Sequence, residues 1–341
     1  MMLHLLNNLN RDKFQITFVL LEKSGNLLSY IPGDIRVISY NYARTINATF
    51  EILKLIRRLR PQIVFSTLSQ VNLLLSLLIP FIPRTVRFVA RESSIISENN
   101  KNYRYPAIFN FLYKTTFKRF HSVVCQSESM KDDMIENFGV PSELIRVINN
   151  PIDFKVMPAP DYFTGTSLPV KLITVGRLRP EKGHERLIRA LARCETPYQY
   201  DIIGDGPLRQ QLETLIVDLG VSDKIRILGE IPMPYDHLVK ADLFLQGSFY
   251  EGFPNAVIEA NACGIPVAAW KAPGGHTEII VQNVNGWIFA SEAELMEILS
   301  REKFRSLDKH AIVDLTRSRY DLPQVVAKYE QHFYDVIEQS N

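Results

Sequence analysis

The sequence predicts an α/β chain of two doubly wound, parallel-sheet domains facing each other across a cleft, and three observations carry that expectation. Its 341 residues exceed one ordinary core and suit two domains of about 150 residues. Short runs of β-branched and aromatic residues alternate with longer amphipathic segments, the pattern of parallel strands covered by helices. The alternation breaks at NNPIDFKVMPAPDYFTGTSLP (149–169), rich in Pro and polar residues, and then restarts, as it does across an interdomain linker.

In chain order, the first series of expected strands is FQITFVLL (14–21), IRVISY (35–40), QIVFST (62–67), TVRFVAR (85–91) and SVVCQS (122–127). ATFEILKLIRRLR (48–60) carries apolar residues at helical spacing with a basic outer face. VNLLLSLLIPFIP (71–83) is too short to span a bilayer and contains Pro80, which points to a buried helix. The second series is VKLITVG (170–176), YDIIG (200–204), IRILG (225–229), ADLFLQ (241–246) and IPVAAW (265–270). LPQVVAKYEQHFYDVIEQ (322–339) closes the chain as an amphipathic helix.

Composition is that of an ordinary globular protein, with 46% hydrophobic and 22% charged residues. The net charge of +2 hides an asymmetry: residues 1–160 sum to +8 and 161–341 to −6, so one lobe is expected to meet an anionic surface. Three cysteines (Cys125, Cys194, Cys263) have no paired or metal-binding spacing, and a reducing cytoplasm is the natural reading. No basic region followed by an apolar stretch and cleavage site opens the chain, so no signal peptide is expected.

Ligands of doubly wound folds bind beyond the carboxyl ends of the strands, and the informative residues of the second half fall there. After VKLITVG, the loop RLRPEKG holds Arg177 and Lys182 between Gly176 and Gly183. It is either a diphosphate clamp, Arg by forked hydrogen bonds and Lys as a point charge, or a solvated basic loop. Gly204, Asp205 and Gly206 make a GxG turn that lacks the third glycine of a dinucleotide fingerprint, which disfavours a nicotinamide cofactor. The bend EIPMPYDHL after IRILG offers backbone to a base edge, or is a plain connection.

The segment GSFYEGFPNAVIEANACGIPV (247–267) has a carboxylate in a Gly-Pro turn, Glu251, and another, Glu259, inside the following helix. Pro254 and Asn255 are expected to start that helix, with the Asn255 side chain as its cap, and Gly264 to stop it. The amides of its first turn suit a phosphate. Glu259 can then accept a ribose diol, and Glu251 can meet a sugar hydroxyl or a developing positive charge; the alternative is a chance pair of glutamates on a charged surface, which the small, apolar flanks disfavour.

This segment resembles the E-x7-E signature of family 4 glycosyltransferases, and VGRLRPEKG resembles that family's diphosphate-binding loop. The resemblance continues through YDIIGDGPLR, IRILGEI with Leu228, PGGHTEII, NVNGWIF and, in the first half, VCQSESMKDDMIENFGVPSELIRVINNPID. It implies a GT-B fold of two Rossmann-like domains: an acceptor domain at 1–160, a nucleotide-sugar domain at 161–320, and a helical segment at 321–341 packing back on the first. It also implies a retaining hexosyl- or N-acetylhexosaminyltransferase using a nucleotide sugar, UDP-sugar first, without a bound metal. Arg177 and Lys182 would neutralise the diphosphate and Glu251 would sit by the transferred sugar. Glu259 would hold the ribose, with Gly176, Gly204, Leu228, Gly252, Phe253, Pro254 and Asn255 lining the donor site. No DxD pair is present, which agrees with metal independence.

Departures from the family pattern add further expectations. Family members begin with a strand and a Gly-Gly loop, whereas this chain begins at MMLHLLNNLN, already in the following helix. The expectation is a first domain missing about 20 residues, from a shortened gene product, a misplaced start or trimming. In place of the usual histidine after the fourth strand stand Arg91 and Glu92, either lining the acceptor pocket or forming a strand-end ion pair. His121 reads as structural, and His276 as a residue at the cleft edge near the donor sugar. KLIRRLR (54–60) and YKTTFKRF (113–120) interleave cations with apolar residues, as faces resting on anionic lipid do, and as ordinary helix surfaces do. The expected acceptor is a glycan or an undecaprenyl-diphosphate-linked sugar at the inner face of the cytoplasmic membrane; nucleic acid is not expected. The competing readings are a nucleotide-binding, non-catalytic partner and a sugar-nucleotide epimerase of the same fold.

Overall fold

The computed structural model describes residues 1–22, 26–42, 44–158 and 168–338. It divides into two compact units, one formed by Met1–Pro151 with the chain from Leu322 onward, the other by Ile152–Asp321. Residues 160 and 161, where the sequence suggests a boundary, lie outside the described residues, as do 159–167 of the expected linker and residue 339 at the end of the expected last helix.

In the first unit, β1 (Thr17–Leu20) pairs in parallel with β2 (Arg36–Ser39). A second parallel sheet runs in the order β3 (Ile63–Ser66), β4 (Arg87–Arg91), β5 (Ser122–Cys125) and β6 (Ile145–Val147). The unit therefore carries two sheets where the sequence suggests one, and no described strand joins β1 to β3. The strand β6, three residues long at a sheet edge, escapes the sequence pattern because too few residues alternate to make a signal.

The apolar run after β3 is the helix Ser69–Leu78, which gives way to a 3-10 turn at Ile79–Phe81 where Pro80 cannot continue the α-helical ladder. Its Leu73, Leu75 and Leu78 pack in a core with Phe88, Val123, Met130 and Met134 from the strands and the helix Glu128–Phe138. No helix among the described residues is long and apolar enough to cross a membrane. The helix Leu322–Glu338 returns to this unit, setting Val325, Tyr329, Phe333 and Val336 against Leu5, Leu9, Val89, Val124 and Ile148. Burial of each such large apolar side chain contributes roughly 1.5–3 kcal/mol.

The second unit is one six-stranded parallel sheet: β7 (Val170–Val175), β8 (Tyr198–Ile203), β9 (Ile225–Gly229), β10 (Leu243–Gln246), β11 (Val267–Trp270) and β12 (Gly286–Phe289). The spatial order is β12-β11-β10-β7-β8-β9, all parallel. The strand β12, in the quoted NVNGWIF stretch, is not among the strands expected from pattern. Helices cover the sheet from both faces, with one core around Leu187, Ile188, Tyr200 and Leu245 and another around Phe244, Val257, Ile258 and Val267.

Candidate functional site

In the second unit the strand order reverses between β7 and β10, and at such a switch point the loops leaving the two strands diverge and leave a crevice at their carboxyl ends. The loop after β7 carries Gly176, Arg177 and Lys182, and the loop after β10 carries Glu251 to Pro254. Residues 69 apart in sequence thus become neighbours because two strands are.

The first loop is held by backbone. The Gly176 amide donates to the Ile203 carbonyl at 2.9 Å, the Leu178 amide to that of Asp205 at 2.9 Å, and the Gly204 amide to that of Gly229 at 2.8 Å. His184, 2% exposed beneath the loop, has Nε2 3.1 Å from the Arg177 carbonyl. Burial lowers its pKa to about 4, so near neutrality the ring is uncharged and Nε2–H donates to that carbonyl. The Arg177 side chain is exposed. The turn Pro180–Lys182 ends at Gly183, whose φ is +61°; a Cβ there would sit 1.8 Å from the Gly247 carbonyl oxygen. Only glycine satisfies both the left-handed backbone and that approach.

The second loop is built around Glu251, 8% exposed. Its Oε1 takes three donors: Lys182 Nζ at 2.7 Å, Gln246 Nε2 at 2.8 Å and Ser248 Oγ at 2.6 Å. Gln246 also donates to Ser248 Oγ at 2.6 Å, which turns the hydroxyl hydrogen towards the carboxylate. Behind this cluster Arg186 lies between the rings of Phe249 and Trp270, 4.2 and 4.4 Å from their centroids. It donates through Nε to the Gly247 carbonyl at 2.6 Å and through Nη2 to that of Ser248, and burial lowers its pKa to about 10. On the other side the Glu251 amide donates to Pro273 at 3.0 Å. A Cβ on Gly274, at φ +129°, would come within 1.8 Å of the Glu251 carbonyl oxygen. The adjacent His276 is fully buried, both ring nitrogens lack a protein partner, and burial lowers its pKa.

The following helix spans Asn255–Ala262, with Pro254 as its N-cap residue and no side-chain capping bond. Asn255 is therefore the first helical residue rather than the cap: Pro254 has the extended backbone a cap needs and Asn255 does not. The first bonds of the helix run from Val257 and Ile258 to the Pro254 carbonyl. Glu259, one turn in, is half-buried, and burial raises its carboxyl pKa. The Phe253 side chain is spent on the core, edge-on to Tyr320 at 5.5 Å, so only its backbone remains for a ligand. Gly252 is buried, and Leu228 packs partly buried on the same core.

The structure thus brings Lys182 and Glu251 into contact and leaves Arg177 and Glu259 unbonded to either. Arg91 and Glu92 belong to the first unit, where both are buried, 4% and 0% exposed. Arg91 donates to Tyr329 OH at 3.2 Å and to Asn150 Oδ1; Glu92 accepts from Ser69 Oγ at 2.7 Å and Asn72 Nδ2 at 2.8 Å. They are not a strand-end ion pair but two halves of an internal network. His121 accepts the Phe88 amide at Nδ1 (3.0 Å), a structural use. Gln246, Ser248, His184 and Arg186 carry no role in the sequence reading; Gln246 alone left a signal, a polar residue ending the apolar strand ADLFLQ.

Two family models match adjacent parts of the chain, "Glycosyltransferase Family 4" over residues 1–156 and "Glycosyl transferases group 1" over residues 167–305. The chain belongs to glycosyltransferase family 4. Its fold is GT-B, with two Rossmann-like domains. The solved structure of Anabaena HepE in complex with UDP superposes with a TM-score of 0.77 at 18% identity, covering 94% of this chain and all of that one. Among curated proteins, a Campylobacter jejuni N-acetylgalactosamine-N,N'-diacetylbacillosaminyl-diphospho-undecaprenol 4-alpha-N-acetylgalactosaminyltransferase is 27% identical over 265 residues, 75% of this chain and 72% of that one. The Escherichia coli lipopolysaccharide 1,6-galactosyltransferase is 31% identical over 173 residues, 48% of this chain and 46% of that one. This glycosyltransferase therefore spans between about half and three quarters of the length of these two relatives.

Proposed function

We propose that this family 4 glycosyltransferase moves a hexose or N-acetylhexosamine from a UDP-sugar, with retention, to a glycan or lipid-diphosphate-linked acceptor in bacterial surface-polysaccharide assembly. The observation that supports the reading most is the meeting of a cationic loop and a buried carboxylate at the switch point of the second sheet. In this scheme Arg177 and Lys182 meet the negative charge that develops on the departing diphosphate, the task a divalent ion would otherwise have. Glu251, held by Gln246 and Ser248, stands by the sugar where positive charge develops. Glu259 takes the ribose hydroxyls, and the amides about Phe253 to Asn255 line the phosphates, with Gly176, Gly204, Leu228 and Gly252 giving the nucleotide close approach.

Arg91 and Glu92 shape the acceptor side through the groups they hold. The lipid-linked acceptor is supported by the name of the Campylobacter relative, and the uridine nucleotide by the complex of the Anabaena protein. Peripheral attachment to the inner membrane face is supported by the basic segments 54–60 and 113–120; on the flanking helix Pro106–Thr116, Ile108 and Phe111 are 56% and 65% exposed.

The test is calorimetric titration with UDP and GDP, beside Lys182→Ala and Glu259→Ala, followed by NMR of the anomeric configuration formed on transfer. Binding of one diphosphate, lost in both variants, is the expected result. A folded protein that binds neither would point instead to a non-catalytic partner.

A further inference from the structure

The three donors on one carboxylate oxygen of Glu251 carry more than a description of the site. A carboxylate oxygen offers two in-plane lone pairs, and here it receives an ammonium, an amide and a hydroxyl, all within 2.8 Å. Oε2 takes none of these bonds. The three donors differ in what holds them. Gln246 ends a buried strand and is 5% exposed; Ser248 is 1% exposed, bonded to Gln246 and backed by Arg186 on its own carbonyl. Lys182 has a fixed backbone, as the last residue of a 3-10 turn before left-handed Gly183, but its side chain is 29% exposed on a flexible four-carbon stem. Of the three, only Lys182 is free to leave, and its departure restores two donors to two lone pairs.

We propose that Lys182 is an exchanged cation: its ion pair with Glu251 gives way to an arriving nucleoside diphosphate, which draws Lys182 off and leaves Glu251 fixed by Gln246 and Ser248 as positioning residues. This rests on the donor reading above and deepens it, assigning to Glu251 a role before any sugar is present. Each binding event must first break the ion pair, so apparent affinity is lowered by the fraction of molecules in which Lys182 is engaged. The same exchange favours ligands able to compete for an ammonium: a diphosphate does, a nucleoside does not. It also couples the halves of the site, since the carboxylate sheds its bonded cation as the phosphates arrive.

The experiment is a double-mutant cycle read by calorimetry with UDP, with uridine as control, on wild type, Glu251→Gln, Lys182→Met and the double variant. Glutamine keeps an Oε1 for Gln246 and Ser248 while removing the charge that holds Lys182. The expected result is that Glu251→Gln binds UDP about threefold to fivefold more tightly than wild type, the size of a partly exposed ion pair. Uridine binding should not change, and the gain should vanish in the Lys182→Met background. A gain that persists there would mean simple repulsion between carboxylate and phosphate, and would overturn the exchange. So would unchanged or weaker UDP binding in a Glu251→Gln protein that melts like wild type. If wild type binds neither UDP nor GDP, the donor reading itself fails and takes the exchange with it, so the two failures are told apart.

The positioning role of Ser248 has its own test. Ser248→Ala should lower kcat with KM for the donor near wild type, and Ser248→Thr, which keeps the hydroxyl, should recover it. Equal loss in both would assign Ser248 to packing alone and overturn its positioning role.

Discussion

At the scale of single residues, the chain separates charges that bind from charges that are bound. Lys182→Ala should lower affinity for UDP about tenfold or more, the worth of a charge-assisted hydrogen bond, and leave uridine unaffected; calorimetry with both ligands checks it. Glu259→Ala should weaken both ligands, because its partner in the scheme is the ribose they share. Glu92 makes a pH prediction instead. Burial pushes its carboxyl from 4.5 up to about 7, so the folded chain keeps that proton to higher pH than the unfolded chain does. Its contribution to stability is complete below pH 4.5 and is lost as the pH rises through 7, a change on the order of 3 kcal/mol. The melting temperature of wild type minus that of Glu92→Gln should therefore fall between pH 5 and 7.5, and a flat difference would sink this account. Residues of this kind were only partly legible. Glu251 and Glu259 stand out in sequence because small and apolar residues surround them. That Lys182 touches Glu251, or that Tyr329 closes over Arg91 from 238 residues away, follows from strand order and a returning helix, which no local pattern encodes.

At the scale of elements, the site depends on places where two loops touch without side chains between them. Gly183 faces Gly247, and Gly274 faces Glu251, each at distances a Cβ would violate by more than 1 Å. Gly183→Ala should shift the β7 loop off the β10 loop, lower the melting temperature by several degrees and weaken UDP binding, because Lys182 is the neighbouring residue. Differential scanning calorimetry with and without UDP measures both effects. The elements were more legible than their contacts. Ten of the strands follow from apolar runs, whereas β6 and β12 are short edge strands whose buried faces are completed by neighbours. Asn255 misled for a related reason: Asn is a common cap, but Pro254, with its fixed φ and extended ψ, already occupied that position.

At the scale of the molecule, the chain does not run through one unit and then the other. It leaves the first unit at Pro151, builds the second, and returns at Leu322 to finish the first with a helix whose Val325 and Tyr329 are fully buried. Tyr329→Ala should cost roughly 3–5 kcal/mol in the first unit, while UDP binding by the second survives until that unit unfolds; melts followed by ligand-induced shift separate the two. The amphipathic pattern of 322–338 was readable in sequence, but the unit it serves is decided by which core lacks an apolar face. The second unit also begins where it ends. The Ile152 amide donates to the Tyr320 carbonyl at 2.7 Å, and Ile152 bridges Asp321. A unit whose two ends meet is a cassette, entered and left by the chain through two adjacent joints. Under the proposed function, a foreign 152–321 segment would exchange the donor side in a single recombination.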